Sequence, residues 1–255
     1  MTRRPIGAFI IGDEILSGRR RDVHLSALIE RLAPRGLTLD WVQMLSDDAA
    51  LIERQLRQSA ADGATAFCFG GIGATPDDLT RAAAARAFDV PLTRHPEAEA
   101  RIEAQFGAEA RPHRVLMADL PQGAELIPNP VNQVPGFFLR QHFFMPGFPQ
   151  MAHPMLDWIL AQPLAPLGQA QYHEAALWTI DVAESDLMPL MQALCADYPT
   201  LKLFSLPTRQ GRLRLIELGF KGERAQVDAA MQALARALTQ RGVAFQAQRP
   251  TDSDI

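Results

Sequence analysis

The stretch Phe69-Gly70-Gly71-Ile72-Gly73-Ala74-Thr75-Pro76-Asp77-Asp78-Leu79-Thr80 constrains this chain most, because an apolar strand runs into three glycines and then into residues that signal a helix start. Glycine has no Cβ, so the backbone can turn tightly and a ligand can approach the main chain. The first N–H groups of a helix lack partners inside it and face whatever binds there. Gly70 to Thr75 therefore reads as an anion cradle opening a helix from Asp77 to Phe88. Thr75 reads as the N-cap, Pro76 as the first helical residue, and Asp77 and Asp78 as the second and third, so Asp78 can close a capping box with Thr75. Two acids would repel a phosphate unless a cation lay between them, or the acids could instead grip donor groups such as ribose hydroxyls. Taken alone, the segment supports a cap and a ligand site equally.

Other strand ends extend the pattern. An apolar run from Ile6 to Ile11 precedes Gly12-Asp13-Glu14-Ile15-Leu16-Ser17-Gly18, and Leu45-Ser46-Asp47-Asp48 precedes another helical stretch. In a parallel sheet such carboxyl ends lie side by side, at the edge where open α/β folds bind ligands. Asp13, Asp47 and Asp78 could then converge on one crevice. Between these points, Asp22 can cap a helix in which Leu25, Leu28, Ile29 and Leu32 recur at helical spacing. Leu37 to Met44 reads as a strand, Asp47 to Ala61 as a helix, Ala64 to Phe69 as a buried strand, and Pro96 to Phe106 as a further helix. This alternation predicts a three-layer α/β/α fold with a mainly parallel sheet. From Gly123 to Phe144 the pattern changes to short strands and proline turns.

A boundary is expected at Gln162-Pro163-Leu164-Ala165-Pro166-Leu167-Gly168, after a helix containing Trp158. The predicted organisation is an α/β domain over 1–162, a small α+β domain over 170–248 and a disordered tail over 249–255. The small domain reads as strand Glu174 to Asp181, helix Ser185 to Ala196, strands Leu201 to Leu206 and Arg212 to Phe220, and a helix from Gly222 to Arg241. Val227, Met231, Leu234 and Leu238 give that last helix one apolar stripe, which reads as a face packed on its own sheet.

The runs Ile11 to Gly18, Asp47-Asp48 and Gly70 to Thr80 resemble the molybdopterin-binding domain of molybdenum cofactor biosynthesis proteins. Asn129-Pro130-Val131-Asn132-Gln133-Val134-Pro135-Gly136 and Met145-Pro146-Gly147-Phe148-Pro149-Gln150-Met151 resemble its competence/damage-inducible protein A (CinA) branch. The motifs fall in the family's order across residues 6–160. The chain departs from the pattern at Phe69, where the family has threonine or serine, at Ala74, where it has proline, and at Asn132, where glycine is common. Asp181 to Leu187 resembles the turn that opens the small domain of this branch. Full-length members also carry a C-terminal amidase domain, which is not expected among these residues.

The resemblance implies binding of molybdopterin or a nucleotide, with metal-dependent hydrolysis of a pyrophosphate such as that of ADP-ribose or FAD. It places Asp47 and Asp78 nearest the chemistry, as catalytic acids and metal ligands for Mg²⁺, Mn²⁺ or Co²⁺. Gly12, Asp13, Glu14, Gly70, Gly71, Gly73, Thr75, Asp77, Asn129, Pro146 and Gly147 would contact the ligand. An alternative is a non-catalytic molybdopterin or cofactor-binding protein, which Phe69 and Ala74 favour. Adenylyl transfer onto molybdopterin is implied less directly, because the match is better to the competence-protein branch. Related domains assemble through symmetric interfaces, so a homo-oligomer could form through Asn129 to Gly136.

Composition narrows the alternatives. A hydrophobic share of 47% with 21% charged residues is ordinary for a cytoplasmic globular protein. A net charge of −4 argues against a nucleic-acid footprint, which needs clustered basic residues. The basic triplet Arg19-Arg20-Arg21 reads as a solvated loop, with closure over an anionic ligand as the other reading. No apolar run reaches membrane-spanning length. Lysine occurs only at Lys202 and Lys221, so there is no Walker A loop, and HExxH and GxSxG are absent. Any metal would be held by oxygen from Asp13, Asp47, Asp77 or Asp78, as hard cations prefer. Cys68 and Cys195 read as core residues, and the six scattered histidines as surface or satisfied core positions.

Overall fold

Six consecutive apolar or small residues make strand β1 (Ile6–Ile11), and all are buried. Their alternation sets the layers: Phe9 and Ile11 pack into one core, while Ile6, Ala8 and Ile10 pack into another on the opposite face. A strand covered on both faces needs helices on both sides, and the chain supplies them in turn. The computed structural model describes residues 4–162, 172–211 and 213–250. After β1 come α1 (Asp13–Leu16), α2 (His24–Leu32), β2 (Trp41–Leu45), α3 (Ala49–Ala61), β3 (Thr65–Phe69) and α4 (Thr80–Ala87). They are followed by β4 (Leu92–Arg94), α5 (Pro96–Phe106), β5 (Asp119–Pro121), β6 (Glu125–Ile127), β7 (Gly136–Leu139), β8 (His142–Met145) and α6 (Pro149–Ala161).

The main sheet has the order β2-β1-β3-β8-β7-β6. Its first four strands are parallel, and β7 and β6 add antiparallel. Ile52 and Leu56 of α3, Ala83 and Ala84 of α4 and Ile102 of α5 close one face. Leu28 and Leu32 of α2 and Met155, Leu156 and Ile159 of α6 close the other. The three-layer expectation holds. Among the described residues, no helix is long and apolar enough to cross a membrane.

Local starts differ from expectation for identifiable reasons. β2 begins at Trp41 rather than Leu37, because the Leu37 N–H donates to the Leu32 carbonyl (3.2 Å) and closes the turn after α2. α3 begins at Ala49 because Asp48 is its cap, its carboxylate accepting from the Leu51 N–H at 2.7 Å. Asp22 does cap α2, accepting from His24 and Leu25, although Ile29 is half exposed.

Contacts divide the chain into units Met1–Gly168 and Gln169–Ile255. The expected linker from Pro163 onward, Arg212 and residues 251–255 of the expected tail lie outside the described residues. In the second unit, β9 (Tyr172–Ile180), α7 (Glu184–Asp197), β10 (Lys202–Gln210), β11 (Leu213–Glu223), α8 (Arg224–Gln240) and β12 (Phe245–Gln246) build a sheet of order β10-β11-β9-β12. Val227, Leu234 and Leu238 of α8 are fully buried against Ile216, Leu218 and Phe220 of that sheet, as the stripe predicts. Arg249 lies 5.4 Å over the Trp178 ring. Cys68 is buried, but Cys195 sits on an exposed face of α7 and is not a core residue.

Candidate functional site

The carboxyl ends of β1, β2, β3 and β8 open onto one cleft of about 400 Å³, large enough for a nucleotide-sized ligand. Backbone hydrogen bonds hold these ends together. Gly12 donates to the Leu45 carbonyl and Gly70 to the Met145 carbonyl, both at 3.0 Å. Gly70 has φ +105°, and a Cβ there would stand 2.1 Å from the Ile11 carbonyl oxygen. Only glycine lets β3 turn so close to β1. Gly147 follows β8 and abuts Gly70, and its carbonyl lies 3.2 Å from His24 Nε2 on α2. His24 stacks on Phe69, and burial lowers its pKa.

Beyond the glycines the structure corrects the expected helix. α4 begins at Thr80, so Pro76, Asp77 and Asp78 lie in a loop, and Thr75 is not its N-cap. The half of the capping box that ties acid to backbone survives as a free-standing turn. Asp78 accepts from the Thr75 N–H (2.8 Å) and from the Thr75 hydroxyl, while the Asp78 N–H donates to the Thr75 carbonyl at 3.0 Å. Thr80 starts the helix because its N–H is taken by the Gly71 carbonyl at 2.9 Å, which anchors the glycine turn to α4. Arg81, 8% exposed, holds the other side. Its guanidinium donates to the carbonyls of Gly73 (2.7 Å), Leu116 (2.5 Å) and Asp119 (2.8 Å). Among the described residues nothing accepts from the N–H groups of Gly71, Ile72, Gly73 and Ala74, and all four residues line the cleft.

Carboxylates line the cleft as well. Asp13 and Asp47 exchange bonds, the Asp13 N–H donating to Asp47 Oδ2 (2.9 Å) and the Asp47 N–H to Asp13 Oδ1 (3.3 Å). Asp13 is exposed and supports the wall from outside, whereas Asp47, Glu14, Asp77 and Asp78 line it. Desolvation raises the Asp47 pKa, and the charges of Asp13, Glu14 and Asp77 raise it further, against the Asp13 N–H that favours the carboxylate. Asp77 is held low by the Thr75 hydroxyl and its own N–H. That hydroxyl has one proton and bonds Asp78, so it serves the two acids only in turn. Asp77 is thus the loop acid that presses on Asp47, while Asp78 is tied to Thr75. Among the described residues, no three His, Cys, Asp or Glu side chains converge in a metal-binding cluster. A Mg²⁺-like ion bound by one or two carboxylates with ligand phosphates needs no such cluster.

Of the other expected contacts, Gly12, Gly70, Gly71, Gly73, Thr75, Asn129, Pro146 and Gly147 all line the cleft. Asn129 is buried and uses its amide on its own turn, bonding Asn132 (2.7 Å), the Val134 carbonyl (3.0 Å) and the Val131 N–H (3.1 Å). Sequence reasoning did not place Phe106, Arg114, Met117, Phe148 or Met151 in the wall. Phe106 ends α5, and Arg114 and Met117 come from the 3₁₀-rich segment after it, which has no periodic signal. Arg20 also lines the cleft, so the basic triplet is not wholly a solvated loop.

Residues 7–166 match a family described as "Probable molybdopterin binding domain". The chain belongs to this molybdopterin-binding domain family. A CinA-like protein from Citrifermentans bemidjiense is 32% identical over 216 residues, covering 78% of this chain and 52% of that protein. Another from Thermomicrobium roseum is 34% identical over 203 residues, covering 74% and 50%. The chain therefore spans about half the length of the curated relatives it matches. The crystal structure of a CinA protein of unknown function from Thermoplasma acidophilum is 25% identical, with a TM-score of 0.56, covering 61% of this chain and 96% of that one. The family domain coincides with the unit that carries the cleft.

Proposed function

We propose that the cleft binds the phosphate of a pterin or nucleotide and, with a divalent cation, hydrolyses a nucleotide pyrophosphate such as ADP-ribose or FAD. The observation that carries this reading is the row of unengaged N–H groups from Gly71 to Ala74 in a cleft that carboxylates also line, where desolvation first and neighbouring charge second raise the Asp47 pKa. Amides aimed at phosphate oxygens favour negative charge there, and would favour more of it as charge develops. Asp77 and the ligand's phosphates would hold a divalent cation, which would supply charge neutralisation and polarisation. Asp47, with its raised pKa and position at the wall, is suited to take a proton from the attacking water. Asp78 keeps the Thr75 turn in shape beneath the ligand.

A second reading, a binding protein without turnover, draws support from the engagement of Asp13, Asp47 and Asp78 in bonds within the protein. Product analysis with ADP-ribose and FAD in Mg²⁺, Mn²⁺ or Co²⁺ separates the two. AMP release that vanishes in Asp77→Asn, with unfolding unchanged, supports the hydrolase. Thermal stabilisation by ligand without AMP sinks the hydrolase and leaves the binder.

A further inference from the structure

Two arginine–phenylalanine pairs line the cleft, and they are built differently. Arg114 lies 4.4 Å from the centre of the Phe106 ring, and its Nη1 is 2.6 Å from Glu109. Its charge is paired and the ring face is covered. Arg20 stands 6.0 Å from the centre of the Phe148 ring, and among the described residues no carboxylate lies within ion-pair distance of it. Phe148 is 48% exposed although it lines the cleft. A half-exposed ring and an unpaired cation thus face each other at an otherwise acidic, glycine-rich site.

The spacing gives the pair a use. Stacked groups sit about 3.5–4.0 Å apart, so a planar ring between Phe148 and Arg20 needs about 7–8 Å. The guanidinium would have to retreat by only about 1–2 Å from its present position. Arg20 is exposed and can do so by a rotamer change, while its backbone stays fixed by the N–H bond to the Glu14 carbonyl at 2.9 Å. The Phe148 backbone is fixed too: Phe148 caps α6, its carbonyl accepting from Met151 and Ala152 at 2.9 Å each. Glycine at 147 brings this cap against Gly70, so ring platform and amide row belong to one cleft.

We infer that Phe148 and Arg20 form a ring-binding subsite, taking the planar nitrogen heterocycle of a ligand whose phosphate rests on the Gly71–Ala74 amides. The inference rests on the phosphate-binding reading above and adds what selects the rest of the ligand. Phe148 offers a π face from below, and the Arg20 guanidinium offers a stacking plane and donors from above, which suits an electron-rich heterocycle with acceptor atoms on its edge. A phosphorylated sugar without such a ring uses the amides and leaves this pair empty.

Calorimetric titration of AMP and of ribose 5-phosphate, both with Mg²⁺, tests this on wild type, Phe148→Ala, Phe148→Trp and Arg20→Gln. Wild type should bind AMP more tightly than ribose 5-phosphate by about tenfold or more. Phe148→Ala and Arg20→Gln should erase that preference by weakening AMP alone, and Phe148→Trp should keep it. Repeating the titration with neopterin monophosphate distinguishes a pterin ring from a purine, and a comparable loss with either supports the subsite. Equal binding of AMP and ribose 5-phosphate to wild type would overturn the subsite and leave the phosphate site standing. Equal loss of both ligands in Phe148→Ala would reduce Phe148 to a packing residue of the cleft and overturn the subsite. If Phe148→Ala fails to fold, exposed Arg20→Gln decides alone. Failure of both ligands to bind wild type would remove the phosphate reading and the subsite with it.

Discussion

Asp47 shows at the scale of one residue how a binding site strains its own fold. Burial and the neighbouring charges of Asp13, Glu14 and Asp77 raise its pKa above the unfolded value, so the ionised form is less at ease in the folded chain. A carboxyl with a raised folded pKa costs stability above that pKa, and the cost disappears as pH falls through it. Asparagine is nearly isosteric and its oxygen can still accept from the Asp13 N–H. Asp47→Asn should therefore melt at or above the wild-type Tm at pH 7.5, with the difference closing toward pH 4. On the hydrolase reading its turnover should fall by at least about a hundredfold, the usual size of a lost general base. Calorimetry across pH and an AMP-release assay check both. A lower Tm at pH 7.5 would mean that the Asp13–Asp47 exchange outweighs the repulsion. Asp47 was legible as a site residue because an acid directly after an apolar strand falls at the ligand edge of a parallel sheet. Arg20 and Phe148 were not, since nothing in a triplet of arginines or a Pro-Gly-Phe-Pro turn says that the two residues will meet.

Helix α4 and the glycine turn show where element-scale reading succeeds and where it stops. Strand, three glycines and helix occur in the expected order, but the helix starts at Thr80 because Thr75 and Asp78 close a turn of their own. A capping box and a free-standing turn share one local sequence, and only the Gly71 carbonyl's claim on the Thr80 N–H separates them. Arg81 is the hidden part of this element. Its three carbonyl partners are Gly73 in the loop and Leu116 and Asp119 from a distant segment, so no local pattern announces it. Replacing Arg81 by methionine would leave three partly buried carbonyls to water and should cost about 1–3 kcal/mol. Lysine keeps the charge but not the fork, and should recover part of that. Urea denaturation measures both, and phosphate affinity should fall alongside stability because Gly73 is released. Wild-type stability in Arg81→Met would show that the three carbonyls find other donors.

At the scale of the first unit, the parallel core was the most legible feature and its acid sensitivity the least. Apolar runs such as Ile6 to Ile11 and Thr65 to Phe69 are buried on both faces, which is what uninterrupted hydrophobicity encodes. His142 hides in the same kind of run, in β8, and sequence alone treats it as one scattered histidine. It is fully buried between Phe88 and Phe144, with Nδ1 2.8 Å from the Arg140 carbonyl and Nε2 2.7 Å from the Ser59 hydroxyl. Those partners suit a neutral ring whose Nδ1–H donates to Arg140 and whose Nε2 accepts from Ser59 when that hydroxyl turns its one proton away from the Leu56 carbonyl, 3.0 Å from it. Burial lowers its pKa to about 4 from 6.5, against the Arg140 carbonyl, which raises it. The unfolded chain then takes up a proton on this histidine below pH 6.5, while the folded chain resists until about pH 4. Stability is complete above the unfolded pKa and is lost as pH falls across that window, by up to about 3 kcal/mol from this group. Burial also lowers the pKa of His24 and His153, which act in the same direction. Chemical denaturation at half-unit steps from pH 7.5 to 4 should show this decline. His142→Gln removes the titrating group and should flatten the curve, whatever it costs at pH 7.5. An unchanged slope in that variant would assign the acid sensitivity to His24 and His153 instead.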